Sequence, residues 1–284
     1  MDAAQRTIRH PGPVAKARHA MAWGERVALQ FTIDPGETIE AGLSRGVAEA
    51  GCAAAYVEMA GARLSPFRYV GPAGSPGPDH AAWYSEPVAP EDGVAVARAG
   101  AIVGQRDDAP FVHCHGLWRA GGRGLAMGHM LPPDCIAQER VAVSGIGVKG
   151  SAFRVRDDAE TNFRLFAAEA LPGPNGRGAL LLTLRPNQDV TRAIEAIALA
   201  ENIPNASIHG IGSLNEARFE DGPPMRSYAS ELLIRNGQLR GGRARIDVAV
   251  VAMDGAIFEG VLVRGDNPVC VTFELVIVPD EIPT

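Results

Sequence analysis

The chain contains the same strand twice. RVALQFTIDP at 26–35 recurs as RGALLLTLRP at 177–186, an offset of 151 in a chain of 284 residues, and self-similarity over so long a period predicts two copies of one folding unit. The same offset places Thr38 on Asp189, Ala55 on Ala206 and Gly61 on Gly212. In each copy an apolar strand ends at proline. Thr38 or Asp189 then offers a short oxygen-bearing side chain to the free N–H groups of a helix's first turn. Ile39, Leu43 and Val47, and then Val190, Ile194 and Ile197, recur at three- and four-residue steps and give each helix one buried face.

The remainder of each copy reads as strands. Residues 94–103 correspond to 231–239, 111–118 to 246–253, and 135–143 to 270–278. The expected fold is α+β: two tandem units, 1–150 and 151–284, each a mostly antiparallel sheet with one principal helix. A linker is expected within 145–161, where Gly147, Gly150 and a charged RVRDD run occur. Residues 62–93 hold Pro66, Pro72, Pro76, Pro78, Pro87 and Pro90, too many for regular structure, and carry Phe67, Tyr69, Trp83 and Tyr84. A loop of this length is either functional or irregular surface.

Net charge is −6, with 14 basic and 15 acidic residues in 1–150 and 13 and 18 in the remainder. Neither half is basic, which argues against binding along a phosphate backbone. Cys52, Cys114, Cys135 and Cys270 lack any paired spacing, so neither a disulfide framework nor a cysteine zinc cage is expected. No apolar run approaches membrane-helix length and residues 1–23 lack the apolar core of a secretory signal, so a cytoplasmic location is expected.

Chemistry concentrates at HCHG, residues 113–116, and GHML, residues 128–131. Side chains alternate along a strand, so His113 and His115 share one face and Cys114 points to the core on the other. A three-residue turn at 121–123 pairs residues whose numbers sum to 244, which sets His115 opposite His129 with His113 one diagonal away. Three converging imidazoles suit a divalent metal, zinc first, with one coordination position open for water or substrate; iron, nickel and copper also accept such a set. The alternative is three hydrogen-bonded strand histidines.

This pattern resembles the PPC domain, conserved in plants and prokaryotes, whose hallmark is His-x-His, a glycine turn, Gly-Gly-His-Leu and then a strand bearing glutamate. Here it stands as His113-Cys-His115, Gly121-Gly122, Met127-Gly128-His129-Met130 and Glu139, with Met127 and Met130 departing from it. The resemblance implies an α+β fold and trimeric or pseudo-trimeric self-association, with the histidines near subunit boundaries. In plant members, DNA contact belongs to an AT-hook built on Arg-Gly-Arg-Pro. That tetrapeptide does not occur here; RGGRAR at 240–245 reads as a hairpin turn. Specific DNA binding is therefore not expected.

Only the first copy carries the histidines. Their places in the second fall to Asp247, Ala249 and Val261, so that copy reads as a scaffold that has lost its ligands. It is a candidate to present His209 or residues 220–226 to a neighbouring histidine cluster. Glu139 is a candidate partner of the metal or a general base. Its counterpart Glu274 recurs where histidines are absent, so a structural role for Glu139 stands at least level with the functional one. Glu58 and His209 are repeat-related and either lines a pocket or sits at a strand edge. The leading expectation is a metal-binding protein that binds or hydrolyses a small molecule at His113, His115 and His129. The alternative is a regulatory or DNA-associated protein without catalysis. No catalytic residue, substrate or reaction is named by the sequence.

Overall fold

A computed structural model describes residues 6–121, 124–173 and 176–283. The first half runs β1 (His19–Ile33), α1 (Ile39–Glu49), β2 (Ala54–Met59), β3 (Arg63–Leu64), β4 (Tyr69–Val70), β5 (Pro72–Ala73), β6 (Trp83–Tyr84), β7 (Val94–Arg106), β8 (Ala109–Ala120), β9 (Leu125–Met130) and β10 (Val141–Lys149). The second runs β11 (Ser151–Asp157), β12 (Arg164–Ala170), β13 (Ala179–Leu184), α2 (Val190–Ala200), β14 (Ala206–Leu214), β15 (Ser230–Arg240), β16 (Arg243–Ala252), β17 (Ile257–Val261) and β18 (Val269–Pro279). The fold is α+β and mostly antiparallel, with one principal helix to each sequence copy. The expected caps are in place: Thr38 Oγ1 accepts from the Ala41 amide at 3.2 Å and Asp189 Oδ1 from Arg192 at 2.8 Å.

The repeat is visible in the topology. One run of strands is β1–β10–β2–β7–β8–β9 and the other is β13–β18–β14–β15–β16–β17, element for element the same order. Antiparallel pairing of β1 with β13, from His19 opposite Leu184 to Gly24 opposite Ala179, joins them into one sheet.

Burial of three apolar layers explains how this long sheet folds. Leu43, Val47, Cys114 and Trp118 lie in the core beneath α1, while Ile194, Ile197, Leu232 and Phe273 lie in the core beneath α2. The opposite faces of the two runs meet in a third layer, with Tyr56, Ile102, Leu117 and Met127 from the first against Ile211, Leu233, Ala249 and Val276 from the second. Alternation along each strand therefore feeds a helix-side core with one set of residues and the layer between the halves with the other.

Three expectations change. Residues 145–161 are not an irregular linker: β10 runs to Lys149, Gly150 turns the chain at φ +81°, and β11 follows. The strand expected from Cys135 begins only at Val141, because Pro132–Asp134 forms a 3₁₀ turn and Ile136 and Ala137 make isolated bridges to Thr38 and Leu64. Opposite Ala249 stands Glu259, not Val261, which pairs with Asp247. RGGRAR does form the β15–β16 hairpin turn, with Gly241 and Gly242 at positive φ. Among the described residues no helix is long and apolar enough to cross a membrane.

The β11–β12 turn is held by Asp158, whose Oδ1 accepts from the amide and hydroxyl of Thr161 at 2.9 and 3.0 Å while Oδ2 pairs with Arg185. Burial by itself would raise this carboxyl, but Thr161 and Arg185 hold it below the ordinary value. A depressed folded-state pKa contributes stability above the unfolded value, about 3.9, and loses it as pH falls through the folded one. Asp158→Asn should therefore cost about 2 kcal/mol at pH 7. Urea titrations at pH 7 and pH 3 check this: the deficit should shrink at the lower pH.

Candidate metal centre

The β8–β9 hairpin places His115 directly opposite His129, flanked by Gly116 opposite Gly128 and Cys114 opposite Met130. The turn residues 122 and 123, including Gly122 of the motif, lie outside the described residues. Gly128 has a local reason: a Cβ there would lie 2.5 Å from the carbonyl oxygen of Val70, because β4 runs close alongside β9. Cys114 is fully buried on the helix side, and the three imidazoles share the other face.

That face looks at the second half. The ring centroids of His113, His115 and His129 are 4.6 to 5.4 Å apart, and one nitrogen from each lies within 4.8 Å of the others. His113 Nε2 is 3.0 Å from His115 Nε2. Two carboxylates close in from across the layer: Glu274 Oε2 lies 2.6 Å from His113 Nδ1, and Glu231 Oε2 lies 2.8 Å from His115 Nε2. His115 Nδ1 donates to the carbonyl of Leu232 at 2.9 Å, which fixes the tautomer and turns Nε2 toward the cluster.

Electrostatics follow from this enclosure. Burial, and then the charge of His115, push His113 down to about 3, and burial with both neighbours holds His129 well below the ordinary imidazole value. His115 moves the other way: burial lowers it, but Glu231 and the Leu232 carbonyl outweigh that and raise it. Burial lifts Glu274 to about 8. At neutral pH two of the three imidazoles are thus uncharged, the state in which a histidine binds a metal. Nδ1 of His129 is buried without a hydrogen-bond partner among the described residues, an uncommon condition for a ring nitrogen away from a functional site.

The cluster forms one end of a pocket. Part of the proline-rich stretch forms its wall: β5 and β6 pair as a short hairpin, and Tyr84 sits edge-on to His129 at 5.3 Å between centroids. Trp83 stacks on Phe163 of the β11–β12 turn at 5.5 Å. Phe67 and Tyr69 instead pack against the fully buried Trp118 and belong to the core.

Several sequence candidates lie elsewhere. Glu139 is exposed and does not line the pocket. Glu58 pairs with Arg98 and accepts from the Tyr56 hydroxyl, both at 2.9 Å, while His209 packs on the Tyr56 ring. Residues 220–226 do not line the pocket either. The second half does reach the histidines, but through Glu231 and Glu274. Those two were missed although a signal existed: each is a lone carboxylate in an apolar strand, ELLI and CVTFELVIV, where an ionised group needs a partner.

Fold and site together define an α+β protein of two sheet-and-helix repeats with a histidine cluster enclosed between them. No family model and no curated protein matches the chain. Solved structures are similar to it. A metal-containing protein from Archaeoglobus fulgidus is 17% identical with a TM-score of 0.40, over 51% of this chain and 95% of its own. A plant- and prokaryote-conserved (PPC) protein from Pyrococcus horikoshii is 14% identical with a TM-score of 0.39, over 56% of this chain and 100% of its own. The structural neighbours thus include a PPC protein, the family that the histidine motif resembles.

Proposed function

We propose that this chain, a tandem of PPC-like units at 1–150 and 151–284, holds one divalent metal, zinc by its donor set, through His113, His115 and His129, and binds or hydrolyses a small molecule there. The observation that carries this reading is the convergence of three imidazoles within 4.8 Å at the end of a pocket, two of them already held neutral. Three nitrogen donors leave a coordination position free. Glu274 would orient His113 through Nδ1, as carboxylates commonly orient ligating imidazoles. Glu231 lies at the Nε2 of His115 and would either share the ion or take up a proton from a bound ligand. When bound, the metal supplies Lewis acidity toward a donor oxygen.

Elemental analysis of protein purified without an affinity tag, before and after incubation with zinc, tests this. One metal per chain is the expected result, since only the first repeat carries the imidazoles. Two metals per chain, or none after zinc incubation, would overturn the assignment.

A further inference from the structure

Granting the metal reading, the rest of the pocket defines what sits beside the ion. The pocket is polar at one end and aromatic at the other. Trp83 and Tyr84 are each 37% exposed, a costly placement for two adjacent large aromatic groups unless something covers them. Trp83 lies against Phe163, and His80 fills the angle between them at 4.4 and 4.6 Å. The wall is braced across the two halves by the Asn162 side-chain amide, which donates to the carbonyl of Asp79 at 3.2 Å, and within the β11–β12 turn by the Asp158 amide, which donates to the carbonyl of Phe163 at 2.8 Å. These aromatic faces are therefore set before any ligand arrives, which lowers the ordering cost of binding.

Charge narrows the class further. Among the described residues lining the pocket, the only guanidinium is Arg164, and it is already held by both Asp107 oxygens at 2.5 and 2.9 Å and faces Asp157 at 3.3 Å. No lysine lines it. The histidine end is itself lined by the carboxyl groups of Glu231 and Glu274, so among the described residues the pocket offers a charged ligand no unpaired cationic side chain. The walls beyond are Phe111, Phe166, Leu165 and Val271.

We propose that the pocket selects a ligand with an uncharged, flat aromatic or heteroaromatic body, stacked against the wall formed by Trp83, Tyr84 and Phe163, and a neutral oxygen donor that reaches the histidine end. Phosphorylated and dicarboxylate metabolites are excluded by the same features.

Three hydroxamates sharing one metal-binding head test this on the zinc-loaded and the metal-stripped full chain: acetohydroxamate, benzohydroxamate and 4-carboxybenzohydroxamate. Calorimetry gives affinities and Trp83 provides a quenching signal. Benzohydroxamate should bind the zinc form at least about tenfold more tightly than acetohydroxamate, as expected of one or two aromatic contacts. The carboxylated analogue should lose that gain. Trp83→Ala should bring the benzo-to-aceto ratio below about threefold while leaving acetohydroxamate affinity unchanged; Phe163→Leu provides a second reading from the same aromatic wall. Equal binding of the first two compounds, tighter binding of the carboxylated one, or an unchanged ratio in both variants would overturn the proposal. Benzohydroxamate bound equally well with and without zinc, its preference over acetohydroxamate retained, would support the aromatic wall and overturn the metal reading. Absence of binding by all three to either form would overturn both.

Discussion

His129→Ala should lower zinc affinity by more than about 100-fold, beyond the 10- to 100-fold typical when only an outer partner of a ligand is lost. The metal-free protein should keep its fold and nearly its full stability. The reason is local: Nδ1 of His129 makes no hydrogen bond among the described residues, so without metal the ring contributes packing against Tyr84 and little else. A metal site on a preformed hairpin adds binding energy to a fold that already exists. Zinc titration by calorimetry, with urea unfolding of both stripped proteins, checks the two parts. A variant that unfolds, beside a native protein that takes up no metal, would instead make the three histidines ordinary strand residues.

The second large effect comes from the half without histidines. Glu231→Gln and Glu274→Gln should each weaken zinc binding by about 10- to 100-fold, whereas Glu139→Gln should leave it unchanged. Glu274 faces His113 and Glu231 faces His115 across the layer between the halves, while Glu139 is exposed and away from the pocket. The three variants measured side by side separate the two glutamates that sequence spacing alone had matched. Equal loss in all three, or none in any, would show that the second half does not serve the site.

These two predictions draw on different kinds of information. The hairpin and its histidine pairing were legible in the chain because they are local. Strand alternation fixes which side chains share a face, and a short turn fixes register, so 115 opposite 129 follows from a few residues. The helices and their caps were legible for the same reason. So was the repeat, whose strand order the structure reproduces element for element. The extent of the strands around 135–157 was less so, because isolated bridges and the pairing of one strand edge with another depend on neighbours distant in sequence.

What the sequence alone determined is two copies of an α+β unit, and three imidazoles brought to one face of the first. What only the tertiary structure decided is what that face meets. Repeat logic discounted Glu274 because its copy lacks histidines and kept Glu139 as a candidate beside a structural reading; the structure puts Glu274 at His113 and Glu139 in solvent. The physical reason is that the two halves pack through the faces opposite their helices, so that a residue 161 positions from His113 becomes its hydrogen-bond partner. Sequence spacing matched Glu139 to Glu274, but in the sheets Glu274 stands in β18 opposite Thr183, and the corresponding place in the first half, opposite Thr32, is held by Ala142; Glu139 lies before β10 and faces water.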